Sequence, residues 1–222
     1  MTYTYEYPHP AVTTDIVIFT ILDNALKVLL VKRGGEPFKG QWALPGGFLR
    51  MDESIDACAR RELREETGVR DVYLEQLYTF GDVGRDPRER VLSVAYYALI
   101  SSTEQKLQAG DDAAEADWYD VETLPNLAFD HADILAAAKD RLAAKMAYST
   151  VGLQLMPDEF TLSSLMRVYE LAGGKILDKR NFRKWILGLG LLEETGKKWS
   201  EGPHRPAMLY RVRDKSRVDI IR

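Results

Sequence analysis

The sequence predicts an α+β protein in two parts: a β-rich sandwich over residues 1–148 and a small helix-and-hairpin unit over residues 149–222. Three observations point there. Runs rich in Val, Ile and Thr alternate irregularly with helical stretches, which is not the regular βαβα order of a parallel-sheet protein. The 222 residues are 45% hydrophobic and 29% charged, the balance of an ordinary globular chain. The net charge of −4 divides into −9 over residues 1–150 and +5 over residues 151–222, which suggests two parts with different partners. No apolar run approaches the ~18 residues of a membrane span. The start, MTYTYEYPHP, lacks the basic and apolar regions of a secretory leader. Cys58 is the single cysteine, so no disulfide can form within the chain. A soluble cytoplasmic protein that does not engage membranes is expected.

Residues Ala11 to Ile21 and Leu26 to Lys32 read as strands, with Asp23-Asn24 as the hairpin turn between them. A short run, Trp42-Ala43-Leu44, precedes a breaker, Pro45-Gly46-Gly47. Ser54 to Thr67 is rich in helix formers and is followed by Gly68, a suitable residue just past a helix end. Strands return at Val72 to Thr79 and Val91 to Ile100, joined by the charged loop GDVGRDPRER. An acidic stretch, a short strand near Trp118-Tyr119 and a helix over about Ala132 to Met146 close the first part. In the second part, Thr161 to Leu171 carries Leu162, Leu165, Met166 and Tyr169 at helical spacing, and Gly173-Gly174 stops it. Asp178 to Leu187 is a second helix with Asp178 as N-cap. Leu191 to Thr195 and Ala207 to Val212 read as a hairpin with a long polar tip.

The helix at Ser54 to Thr67 carries the chemistry. At ~100° per residue, Ile55, Cys58, Ala59 and Leu63 form an apolar stripe, and Glu62, Glu65 and Glu66 continue that face instead of opposing it. Arg60 and Arg64 lie on the far side. Carboxylates converging at the end of a core-facing stripe repel one another and resist desolvation. Something positive should compensate: Arg61 is one candidate, and a hard divalent cation, which suits carboxylate oxygens, is the other and the favoured one. Gly46 and Gly47 just upstream allow close backbone approach by a ligand. Small residues beside an acidic, Mg²⁺-binding cluster suit a diphosphate.

Gly47, Glu53, Arg61, Glu62, Leu63, Glu65, Glu66, Gly68 and Val69 also match the pattern G-x5-E-x7-R-E-U-x-E-E-x-G-U, where U is a bulky aliphatic residue. The first part therefore resembles the Nudix family. That resemblance implies an α/β/α sandwich and hydrolysis of a nucleoside diphosphate linked to another moiety, with Mg²⁺ (or Mn²⁺). It implies Glu62, Glu65 and Glu66 as metal ligands, Glu53 as an assistant and Arg61 as the residue orienting the glutamates. The general base stays open between a helix glutamate and a carboxylate on the later loop, where Asp111, Asp112 and Glu115 lie. The segment TFGDVGRDPRERVLSVAYYALI resembles Nudix proteins that act on or bind ADP-ribose, as does LAFDH at Leu127 to His131. Arg85 and Arg88 are candidates for phosphate contacts, and Tyr78 or Phe80 for stacking on a base. His131 reads as a helix-start residue rather than a catalyst.

The second part resembles the C-terminal winged helix-turn-helix of Nudix-related transcriptional regulators. The resemblance implies a homodimer that binds a double-stranded operator and responds to an ADP-ribose-like metabolite. The helix DKRNFRKWILGLG has Phe182, Ile186 and Leu187 as its apolar face, with Trp185 nearby. It offers Lys179, Arg180, Asn181, Arg183 and Lys184 to DNA. The hairpin tip adds Lys197, Lys198, His204 and Arg205, and the outgoing strand Arg211 and Arg213. Two functions follow: a Mg²⁺-dependent hydrolase yielding AMP and ribose 5-phosphate, and a repressor that senses ADP-ribose or a sugar phosphate. A bifunctional protein lies between them. A third possibility is that the winged helix serves only assembly.

Overall fold

The computed structural model describes residues 4–68, 72–101, 113–200 and 206–221. The chain divides into two compact units. The first ends at Ala138; the second runs from Lys139 onward and includes Thr20–Leu26.

The leading hairpin forms as expected, with β1 at Ala11–Leu22 and β2 at Ala25–Arg33. Asp23 and Asn24 both have positive φ (50° and 61°), the conformation that a tight turn matching strand twist requires. β3 (Trp42–Ala43) and β4 (Gly46–Phe48) follow. The Pro45-Gly46-Gly47 breaker is thus partly strand: β4 pairs antiparallel with β1 through Thr14↔Gly47 and Asp15↔Gly46. Glycine has low strand propensity, but here the backbone groups of β1 supply the pairing. α1 spans Ile55–Thr67. β5 (Tyr73–Phe80), β6 (Val91–Leu99) and β7 (Ala113–Asp120) complete the sheet, and α2 spans His131–Tyr148. The sheet order is β3-β2-β1-β6-β5, with β4 on β1 and β7 on β2.

Residues Thr13 to Thr20 are buried without interruption, so β1 is covered on both faces. Side chains alternate between those faces. Thr14 meets Cys58 of α1 on one side (Oγ1 to Sγ, 3.4 Å), while Asp15 turns the other way, toward His131 at the start of α2. This one alternation places α1 and α2 on opposite faces of the sheet, the expected α/β/α sandwich.

α1 begins at Ser54, whose hydroxyl accepts from the Ala57 N–H, and stops at Gly68 in the left-handed conformation (φ 70°). Cys58, Ala59, Glu62 and Leu63 are buried and Arg60 and Arg64 exposed, as the helical rotation predicts. Ile55 departs from the stripe and is 36% exposed, because it occupies the first helical turn.

In the second unit a short 3₁₀ turn, Val151–Leu155, precedes α3 (Leu162–Gly173) and α4 (Lys179–Gly188). Thr161 and Ser164 form a reciprocal capping box on α3, and Gly174 ends that helix in the left-handed region. Asp178 caps α4 by accepting from the Asn181 N–H. β8 (Leu192–Trp199) and β9 (Ala207–Val212) form the hairpin, and Phe160 bridges to Tyr210 beside it. The rings of Tyr169, Phe182 and Trp185 pack together with centroids 5.4–5.5 Å apart and lock α3 against α4. Leu187, expected on the apolar face of α4, is 40% exposed; Phe182 and Ile186 hold the buried line one turn apart.

Candidate functional site

A cleft of about 1160 Å³ opens in the first unit, walled by β1, β2, β4, α1, the 81–90 loop and the start of α2. Glu62, Glu65 and Glu66 all line it, with Gly46, Gly47 and Arg61. Arg61 is the organising cation. Its Nε and Nη2 reach the two oxygens of Glu53 (2.9 and 2.6 Å), and its Nη1 reaches Glu62 (2.5 Å) and Glu65 (3.0 Å). The Arg61 bond holds the Glu53 carboxyl at about 2, well below its ordinary value. Burial pushes Glu62 the other way, above the usual carboxylate range, despite the same arginine. Arg61 itself is held more basic than usual, chiefly by Glu53.

Gly47 is required by this packing. A Cβ there would lie 2.3 Å from Glu62 Oε1. At Gly46 it would lie 2.1 Å from the Thr14 carbonyl oxygen. Both glycines line the cleft, but the close approaches they allow are to Glu62 and to β1.

Glu62, Glu65 and Glu66 present hard carboxylate oxygens to one cleft, and that donor chemistry suits a divalent cation. Among the described residues, however, no three His, Cys, Asp or Glu side chains are gathered to hold a metal ion. Arg61 Nη1 takes one oxygen each of Glu62 and Glu65 and holds that pair together. Of the loop carboxylates weighed as general base, Asp111 and Asp112 lie outside the described residues, as does Val69 of the sequence pattern. Glu115 pairs with Lys32 across β7 and β2 (3.1 Å) and does not line the cleft.

The opposite wall is basic and aromatic. Arg88 lies 5.5 Å from the Phe48 ring and 5.8 Å from the Phe129 ring, while Arg33 lies 4.8 Å from Phe129. Asp86 orients Arg88 through two bonds (3.0 and 2.7 Å) and is held below its ordinary carboxyl range by that arginine. Burial, together with the nearby Arg88, makes Arg33 less basic than usual.

Arg85 behaves differently from Arg88. It is buried and bonds both oxygens of Asp130 (2.9 and 2.7 Å) and Asp15 (3.2 Å). Ser93 donates to the same Asp15 oxygen. Arg85 thus pins the 81–90 loop to β1 and to the residue before α2. His131 is the first residue of α2, as expected, yet it is buried and borders the cleft. Burial lowers its basicity. Its Nδ1 accepts from the Leu44 N–H (2.8 Å), which leaves the proton on Nε2, 3.6 Å from Asp15. Phe80 and Tyr78 pack edge to face on β5 and do not line the cleft. Sequence reasoning missed Asp15, Arg33, Phe48, Asp86, Phe129 and Asp130. The available signs were Asp15, a carboxylate inside an otherwise uncharged strand run, and the segments LAFDH and GDVGRDPRER, which contain Phe129, Asp130 and Asp86.

In the second unit α4 buries Phe182 and Ile186 and exposes Lys179, Arg180, Asn181, Arg183 and Lys184. Lys198 is exposed on β8, and Lys197 pairs with Glu159 (2.8 Å). Arg211 pairs with Glu193, and Arg213 lies 3.9 Å from the same carboxylate. These two cations, Arg211 on β9 and Arg213 just past it, are therefore partly neutralised. His204 and Arg205 lie outside the described residues.

The glutamates of α1 lining a cleft in a sheet sandwich, followed by two helices and a hairpin, define the class: a carboxylate-lined α/β/α sandwich domain with a winged helix. The NUDIX domain model matches residues 12–138, and that of the NrtR DNA-binding winged helix domain matches residues 152–212. The chain belongs to the Nudix family and carries an NrtR-type winged helix. It is 40% identical over 212 residues to the ADPR responsive transcriptional repressor NtrR of Acinetobacter baylyi, covering 93% of this chain and 83% of that one. An ADP-ribose pyrophosphatase of Methanocaldococcus jannaschii is 42% identical over 129 residues, 58% of this chain and 73% of the relative. The crystal structure of Shewanella oneidensis NrtR complexed with a 27mer DNA matches with a TM-score of 0.83 at 39% identity, covering 91% of this chain and 93% of that chain. No helix among the described residues is long and apolar enough to cross a membrane.

Proposed function

We propose that this protein is a transcriptional regulator whose Nudix cleft binds ADP-ribose or a related nucleoside diphosphate compound and whose winged helix binds double-stranded operator DNA. The observation that carries the reading is the pairing, on one chain, of an acidic and arginine-walled cleft with a helix that buries its apolar side and exposes five DNA-compatible residues. Two half-sites on an operator call for two-fold symmetry, so the working form is a homodimer acting in the cytoplasm. We assign the two domains to residues 1–148 and 149–222.

Within the cleft, Glu62, Glu65 and Glu66 would hold Mg²⁺ or Mn²⁺, with Glu53 acting through Arg61. When bound, the cation neutralises the diphosphate and lowers the pKa of an attacking water. Arg61 keeps the carboxylates in one place while their mutual repulsion is unmet. Arg88 and Arg33 face the diphosphate or ribose phosphate, Phe48 and Phe129 offer ring faces, and Arg85 fixes the loop that presents Arg88. The complete glutamate set favours a second activity, hydrolysis of ADP-ribose to AMP and ribose 5-phosphate.

Both activities are testable on the full chain. Retention of a duplex from the gene's own upstream region should weaken with salt and with Arg180→Ala plus Arg183→Ala. Equal retention of a random duplex sinks the regulator reading. If ADP-ribose and a panel of nucleoside diphosphate compounds stay intact with Mg²⁺ or Mn²⁺, the hydrolase reading fails.

A further inference from the structure

The segment between α3 and α4 holds one side chain that packing does not explain. Ile176 is 96% exposed, the most exposed large hydrophobic residue described. Its exposure is not that of a loose loop. Gly174 ends α3 in the left-handed conformation, the Leu177 N–H donates to Glu170 Oε1 (3.0 Å), and Asp178 caps α4. Leu177 turns inward beside Tyr169 and Phe182. Leu177 is half-buried there while its neighbour Ile176 stays in solvent. Exposed Lys175, Lys179 and Arg180 surround it in sequence.

A recognition helix reads base edges from its N-terminal end, and Ile176 sits two residues before the α4 cap. Cations there position the phosphate backbone but do not distinguish bases. The apolar feature of the major groove is the thymine 5-methyl group. We infer that Ile176 reads a thymine methyl in each operator half-site and is a specificity-determining residue of this winged helix. The inference rests on the DNA-binding reading above.

The test uses the upstream duplex in two forms, with thymine and with deoxyuridine throughout, bound to the full-length protein and to I176A. Each lost methyl contact removes about fourfold in affinity per half-site. Deoxyuridine should therefore weaken wild-type binding by at least about fourfold and leave I176A nearly unaffected, while I176V keeps most of the methyl response. Melting temperatures of the variants should equal that of the wild type. Specific retention with no deoxyuridine effect, or an equal effect on wild type and I176A, overturns the role of Ile176 while leaving the regulator reading in place. Failure to retain the thymine duplex specifically overturns both.

Discussion

Gly47→Ala tests the construction of the cleft with one added carbon. The new Cβ would stand 2.3 Å from Glu62 Oε1 and 2.6 Å from its Cδ, whereas ordinary contact begins at 3.4 Å. The carboxylate must therefore retreat by about 1 Å, in a site where it is 7% exposed and bound to Arg61. Overpacking of this kind costs ~1–3 kcal/mol, a fall in melting temperature of roughly 2–12 °C for a chain of this size. A misplacement of that size in a catalytic group lowers turnover by about 100-fold. Gly35→Ala is the matched control, since Gly35 also lines the cleft and nothing lies within 4 Å of its missing Cβ. Differential scanning fluorimetry and Mg²⁺-dependent release of AMP from ADP-ribose read the two effects. If Gly47→Ala melts and turns over like Gly35→Ala, Glu62 does not depend on the space above Gly47 and the reasoning is wrong.

Glu65→Gln with Glu66→Gln should abolish Mg²⁺-dependent hydrolysis while circular dichroism and the melting temperature stay close to wild type; undiminished turnover would exclude both as essential. The Glu53 carboxyl sits at about 2 in the fold against an ordinary 4.5, so its pairing with Arg61 stabilises the protein fully above pH 4.5 and is lost as the pH falls toward 2. Acid unfolding of Glu53→Gln should accordingly be less steep than that of the wild type over that window. Asp178→Ala removes the α4 cap and should cost about 1 kcal/mol, seen as a melting temperature lower by roughly 2–4 °C, and should weaken DNA retention as α4 frays.

Features encoded by local spacing were legible in the sequence. α1 was readable from its stripe, its caps and the fixed spacing of its glutamates, and Asp23-Asn24 from the demand of a tight turn for positive φ. The Asp178 cap and the α4 cations were readable for the same reason. What stayed hidden was assembled from distant segments. Asp15, Arg85 and Asp130 are separated by 45 residues or more, and only the closed sheet brings them into one network. In the loop GDVGRDPRER both arginines read alike, and both line the cleft, yet Arg85 is buried against Asp130 and Asp15 while Arg88 stays exposed. No periodicity could separate the two, because the deciding partners lie outside the loop. Phe80 is not among the residues lining the cleft: it lies on edge strand β5, where strand alternation alone does not fix which residue meets a ligand. Of the charge split, the exposed cations of α4 carry much of the basic excess, whereas the carboxylates around Arg61 hold only a small part of the acidic excess, most of which lies elsewhere in the sequence, notably over residues 111–120.

The central claim is that the nucleotide cleft and the DNA-binding helix act on each other. The most direct measurement is a gel shift of the full-length protein on its own upstream duplex, titrated with ADP-ribose. The account predicts a specific complex whose affinity changes by about 5- to 150-fold as ADP-ribose fills the cleft. A specific complex that is indifferent to ADP-ribose, at concentrations calorimetry shows to saturate the protein, would contradict it.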